Sequence, residues 1–186
     1  IIATIKNIAP VFGGINLEDI AAPRCFEIER RLQDMLDIPV LHDDQHGTAL
    51  VVLSGLINAL KVVGKKPKQV RLVISGSGAA GTAIAELLML FGVGDIIMLD
   101  SQGILHKGRN DASKEKRALA EKTNKEQRVG GLDEALIGAD VFIGVSKGNT
   151  VQEHQVRSMA ERAIVFALAN PTPGIMPDIA KRAGAA

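Results

Sequence analysis

No tyrosine and no tryptophan occur among the 186 residues, and aromatic residues make up only 3% of the chain. Any proton transfer that needs a phenol must therefore borrow it from outside this sequence. A single cysteine, Cys25, excludes an internal disulfide and suits a reducing, cytoplasmic compartment. Charge of one sign is not in excess: the formal net charge is +1, which gives no electrostatic case for nucleic acid or an anionic membrane as partner. Glycine or charge interrupts the longest apolar runs before the ~18 residues of a membrane span, and no basic, apolar and small-residue sequence of a signal peptide opens the chain. The first residue is Ile1 rather than methionine, and the abrupt ends lead us to expect a segment of a longer enzyme.

What is present is ordinary globular material, 46% hydrophobic and 23% charged, long enough to bury a core. Residues 1–22 read as an extended lead-in, with turns at Gly13–Gly14 and at Pro23. Pro23 suits the first turn of a helix reaching about Leu36, with Ile28, Leu32, Met35 and Leu36 on one face. "IPVL" (38–41) reads as a short strand, "HDDQHG" as a polar loop, and Thr48 to Val63 as a helix with Leu53, Leu56, Ile57, Leu60 and Val63 at helical spacing. "GKKPK" (64–68) stops that helix and marks an internal boundary. Beyond it, "VRLVIS" (70–75), "DIIML" (95–99), "VFIGV" (141–145) and "IVFALA" (164–169) are compact apolar runs separated by helical stretches. That rhythm predicts an α/β fold, a doubly wound parallel sheet covered on both faces. The basic and acidic stretch 107–128 reads as a solvated helix with its flanks.

Between the first two of those strands lies Gly76-Ser77-Gly78-Ala79-Ala80-Gly81. Such a pattern carries weight because it follows an apolar strand and opens a helix with Ala83, Ile84, Leu87 and Leu88. Gly76 permits the tight turn, Gly78 lets a pyrophosphate approach the backbone, and Gly81 lets helix and strand pack closely. Asp100, 19 residues past Gly81, ends the next strand, where a carboxylate accepts from the adenosine ribose hydroxyls. The loop predicts a bound dinucleotide. Asp100 should repel a 2′-phosphate and so tilts the choice toward NAD over NADP, with Lys107 and Arg109 as the cations that could offset it.

Two acid pairs precede this unit, Glu18-Asp19 and Asp43-Asp44. Three carboxylates from two loops suit a hard divalent ion, Mg2+ or Mn2+, rather than zinc. Acids near helix starts also complement the helix dipole, so spacing alone leaves a plain structural role open. His42 and His46 read as loop hydrogen-bonders.

"FGGINLEDIAAPRCFEIE", "PVLHDDQHGTA", "GSGAAGTA" and "ALANPTP", in this order, resemble the malic enzymes, especially the bacterial type, over essentially the whole chain. The resemblance implies a Rossmann-type NAD(P)-binding domain over residues 47–186 and, over 1–46, a segment of the adjoining catalytic domain. It implies that Glu18, Asp19 and Asp44 bind the metal, that Asp43 helps to position a catalytic lysine, and that Ser77 to Gly81 cradle the pyrophosphate. Asn170 would contact the substrate or the nicotinamide end of the cofactor. The implied reaction oxidises malate by hydride transfer to nicotinamide and then releases CO2 to give pyruvate, with the ion as Lewis acid; family members usually form homo-oligomers. The family's tyrosine acid and lysine base lie N-terminal to the first motif and are not in this chain. Gly174 stands where the family has glutamate, and "SKGNTV" (146–151) departs from its usual turn. Two other readings fit parts of the pattern: a metal-free dehydrogenase, which leaves the paired acids idle, and a noncatalytic module that senses NAD(H) or mediates assembly.

Overall fold

The computed structural model describes all of residues 1–186. Its amino-terminal part is not extended, as expected above, but largely helical: α1 (Ile2–Ile8) runs into a 3-10 turn at Ala9–Val11 before the short strand β1 (Ile15–Leu17). Turn signals at the glycines were legible, whereas "IATIKNI" closes helical hydrogen bonds without a side-chain cap or a buried residue of its own. Next come α2 (Arg24–Met35) and β2 (Val40–His42). Ile28 and Leu32 of α2 are buried against Leu17 and Val40, but Met35, expected on the same face, is exposed.

Strands β1 and β2 pair in parallel, Ile15 with Val40 and Leu17 with His42. The "HDDQHG" stretch is not a loop: α3 (Asp43–Val63) starts directly after His42 and runs for 21 residues. Asp43 and Asp44 supply the negative charge that a helix amino terminus favours, which is why so polar a stretch is helical. By length and composition α3 could cross a membrane, and it is only partly buried. It also carries His46, Ser54, Asn58 and Lys61, and Leu56 and Leu60 face the core.

The remaining elements are β3 (Arg71–Ser75), α4 (Ala79–Phe91), β4 (Asp95–Asp100), β5 (Gly103–Ile104), α5 (Lys114–Lys122), α6 (Leu132–Leu136), β6 (Val141–Gly144), α7 (Glu153–Arg157), β7 (Ile164–Ala167) and α8 (Pro177–Arg182). The sheet order is β5-β4-β3-β6-β7; all neighbours are parallel except the two-residue edge strand β5, which the sequence did not announce. The alternation of side chains decides the layers. Leu72, Ile74, Ile96, Met98, Val141 and Ile143 enter one core with residues of α3 and α4. Val73, Ile97, Leu99 and Phe142 enter a second core with residues of α6, α7 and α8. With helices on both faces, this is the doubly wound Rossmann-type arrangement. Burial of each such side chain contributes about 1.5–3 kcal/mol.

The chain leaves β3 toward β4 on one side and later returns to place β6 on the other. The carboxyl end of β3 is thus the point where the strand order reverses, the place where open α/β sheets bind ligands.

Candidate functional site: a dinucleotide cradle beside an acidic corner

The loop from Gly76 to Gly81 occupies that reversal point. Gly76 has φ +123°, a conformation that side chains resist, and its N–H donates to the Leu99 carbonyl at 3.0 Å, tying the loop to β4. A Cβ on Gly81 would stand 1.7 Å from the Gly76 carbonyl oxygen, so only glycine lets α4 start this close to β3. A Cβ on Gly78, by contrast, would meet nothing within 4 Å. The loop therefore presents open backbone at the amino terminus of α4, where unpaired N–H groups suit a phosphate.

Ser77 and Gly78 line a cleft of about 330 Å³ together with Thr82, Pro23, Phe26, Ser113 and Lys116. Helix α2 of the amino-terminal part thus walls the same cleft as the glycine loop. Asp100 stands at the carboxyl end of β4 and is not a free acceptor. The Arg109 guanidinium donates to both of its oxygens, at 2.7 and 3.2 Å, and the Lys116 ammonium donates at 2.6 Å. Burial would push its carboxyl up, but the hydrogen bonds from Arg109 and Lys116 outweigh that and hold it down at about 2. Of the two cations proposed from sequence, Arg109 does meet Asp100, whereas Lys107 turns away to Glu121 at 3.3 Å. Lys116 was missed because it lies inside a charge-rich helix whose pattern reads as solvated; one turn of α5 points it at the strand end instead.

The second acidic site is built by strand pairing. The pairing of Leu17 with His42 brings the residues that follow each strand, Glu18-Asp19 and Asp43-Asp44, to one end of the two-stranded sheet, although 25 residues separate Asp19 from Asp44 in sequence. Asp19 adopts φ +57°, and its N–H donates to Asp44 Oδ2 at 3.2 Å. So the backbone of Asp19 and the carboxylate of Asp44 are brought together. The side chains of Glu18, Asp19 and Asp44 are not drawn around one point: no group of three or more His, Cys, Asp or Glu stands at metal-holding separation. The donors are all carboxylate oxygens, a set that fits a hard divalent cation once rotation about their side-chain bonds gathers them. Asp43 lies back over its own helix, where a Cβ on Gly47 would come within 2.1 Å of its Oδ1.

Behind the acids lies a buried layer that sequence reasoning overlooked. Glu29 of α2, only 6% exposed, accepts from the His42 backbone N–H at 2.8 Å and from Gln45 Nε2 at 3.2 Å, and contacts His46 Nε2 at 2.9 Å. A carboxylate at the amino end of α3 is favoured by the helix dipole and fixes α2 to the acid-bearing turn. Glutamate on a helix with an amphipathic pattern looks solvent-facing, so only its i, i+4 position relative to Cys25, on the buried face, could have signalled it. His46 is a hydrogen-bonder as expected. His42 is not: its ring is completely buried, and neither nitrogen has a hydrogen-bond partner. Cys25 is equally buried; burial pushes its thiol up against backbone hydrogen bonds that lower it, and the negative charges of Glu29 and Asp44 add to the rise. It is an inert thiol.

Asn170 is exposed just past the carboxyl end of β7. The two stretches that depart from the malic-enzyme pattern touch one another beside it: Asn149 N–H donates to the Pro173 carbonyl at 3.0 Å and Val151 N–H to the Gly174 carbonyl at 2.9 Å. A Cβ on Gly174 would stand 3.3 Å from Thr150 Oγ1, so a larger residue there and a different 146–151 turn go together.

Comparison with known proteins places this geometry. The sequence model of the family described as "Malic enzyme, NAD binding domain" matches residues 45–177. The chain is 50% identical over 186 residues to a bifunctional malic/malolactic enzyme of Bacillus subtilis, covering 100% of this chain and 45% of that protein. It is 46% identical over 182 residues to an NADP-dependent malic enzyme of Halomonas elongata, covering 97% of this chain and 42% of that one. Among solved structures, an NAD-dependent malic enzyme from Thermotoga maritima superposes with a TM-score of 0.96 at 45% identity, over 99% of this chain and 49% of the other. The chain thus spans under half the length of the curated relatives it matches.

Proposed function

Because the chain belongs to the malic enzyme family, through its NAD-binding domain, we propose that the polypeptide carrying it converts malate to pyruvate and CO2 with reduction of NAD(P)+, dependent on Mg2+ or Mn2+. The observation that supports this most is the pairing of β1 with β2, which sets two acid pairs side by side on a unit whose α2 also walls the glycine-loop cleft. A metal-free dehydrogenase would have no use for that corner.

In this reading Ser77 to Gly81 hold the pyrophosphate through backbone N–H groups, and Asn170 meets the substrate or the nicotinamide end. Glu18, Asp19 and Asp44 would hold the ion, which when bound supplies Lewis-acid polarisation of the substrate oxygen. Asp43, which lies over Gly47, would orient a lysine base delivered from outside this chain, and a phenolic proton donor would also come from outside, since the chain has no tyrosine. Around the ribose corner the charges of Asp100 and Asp111 are balanced by Arg109 and Lys116, so the repulsion expected from Asp100 toward a 2′-phosphate is offset and the tilt toward NAD is reduced. A homo-oligomer in the reducing cytoplasm completes the proposal.

The test is malate-dependent formation of NAD(P)H and pyruvate by the polypeptide, with and without Mn2+. Dinucleotide binding without pyruvate formation in the presence of Mn2+ would favour the noncatalytic alternative.

A further inference from the structure

The imidazole of His42 is completely buried, and both of its nitrogens lack a hydrogen-bond partner, an expensive condition for a polar ring. Its backbone is pinned on two sides, by the pairing of His42 with Leu17 and by its N–H donating to Glu29 Oε1 at 2.8 Å. The backbone is therefore held in place, and the buried ring's Nε2 stands 3.6 Å from Asp44 Oδ2, just beyond hydrogen-bond length. That same oxygen already accepts from the Asp19 N–H at 3.2 Å.

Taking the metal reading above as its basis, we infer that His42 is a positioning residue for Asp44, donating from Nε2–H to Oδ2 so that Oδ1 alone is turned to the cation. With the amide of Asp19 and the imidazole of His42 both on Oδ2, the carboxylate cannot spin about its terminal bond. A few tenths of an ångström of approach completes the hydrogen bond and satisfies Nε2, one of the two orphaned nitrogens. Partners of this kind behind a ligand set its orientation and its affinity for the ion.

The experiment is Mn2+ titration of the polypeptide, following the free-ion electron paramagnetic resonance signal, with NADH binding and thermal unfolding without metal measured alongside. A glutamine amide nitrogen reaches about as far as Nε2, whereas an asparagine amide reaches only the Nδ1 position. His42→Gln should keep Mn2+ affinity near wild type, and His42→Asn and His42→Leu should lose on the order of 10- to 100-fold with NADH affinity unchanged. Equal Mn2+ affinity in wild type and His42→Asn would overturn the inference, as would an equal loss in His42→Gln and His42→Asn. If His42→Leu does not fold, the Gln and Asn pair decides. Wild-type protein that binds no Mn2+ would instead overturn the metal reading on which the inference rests.

Discussion

The glycine cradle and the acidic corner sit on one chain but are made by different means. In the cradle, six consecutive residues do the work, and the strain and close contacts that require glycine are local: Gly81 is pressed against the Gly76 carbonyl. In the corner, residues 25 apart are joined by only three paired positions of two short strands, and the carboxylates are not gathered. The cradle is shaped by backbone packing alone; the corner is only placed by packing, and the cation proposed above would have to gather its carboxylates. At Gly81 the backbone-built site has no room for a side chain, whereas the side-chain-built site responds to charge.

The comparison breaks most directly at Gly81. Gly81→Ala drives a Cβ into the Gly76 carbonyl and should cost at least about 1–3 kcal/mol of stability, with NADH affinity falling ten-fold or more. Thermal unfolding and NADH fluorescence titration check this, and an unaltered affinity would show that the loop is not the preformed cradle described here.

Glu29 sharpens the other side. Glu29→Ala removes a buried acceptor from His42, Gln45 and His46 and should destabilise the fold by about 2–3 kcal/mol, weakening Mn2+ binding while NADH binding holds. Parallel denaturant and titration curves separate the two effects.

Asp100 gives a pH signature on the dinucleotide side. Its folded carboxyl is depressed to about 2 from an ordinary 3.8, so its contribution, roughly 2 kcal/mol, is fully present above about pH 4 and is lost as pH falls through 2. Asp100→Asn should flatten that part of the acid-denaturation profile. The smallest effect is expected at Gly47: Gly47→Ala should displace the Asp43 carboxylate, lowering kcat for malate while Mn2+ and NADH affinities stay within about two-fold. Steady-state kinetics beside binding isotherms make that distinction.

These differences also explain what the amino-acid sequence disclosed. The four apolar runs and the glycine loop were legible because their signals are local: strand alternation and a fixed spacing of glycines. Edge strand β5, two residues long, carries no such signal. The helical start of α3 was masked because Asp43 and Asp44, which suit a helix amino terminus, are also loop formers. Lys116 and Glu29 were missed for one reason: a charged residue on a helix reads as solvated until its tertiary partner is known. The acid pairs were visible in the sequence and were given their roles by resemblance, and the approach of Asp19 to Asp44 became explicable only through the pairing of β1 with β2.

The most direct measurement is a calorimetric titration of Mn2+ and of NADH into wild-type polypeptide and into Asp44→Asn. The account predicts that the substitution abolishes or severely weakens Mn2+ binding and leaves NADH affinity unchanged, because the ion is held by charge at strand ends and the dinucleotide by backbone. Mn2+ binding that survives Asp44→Asn undiminished would contradict it.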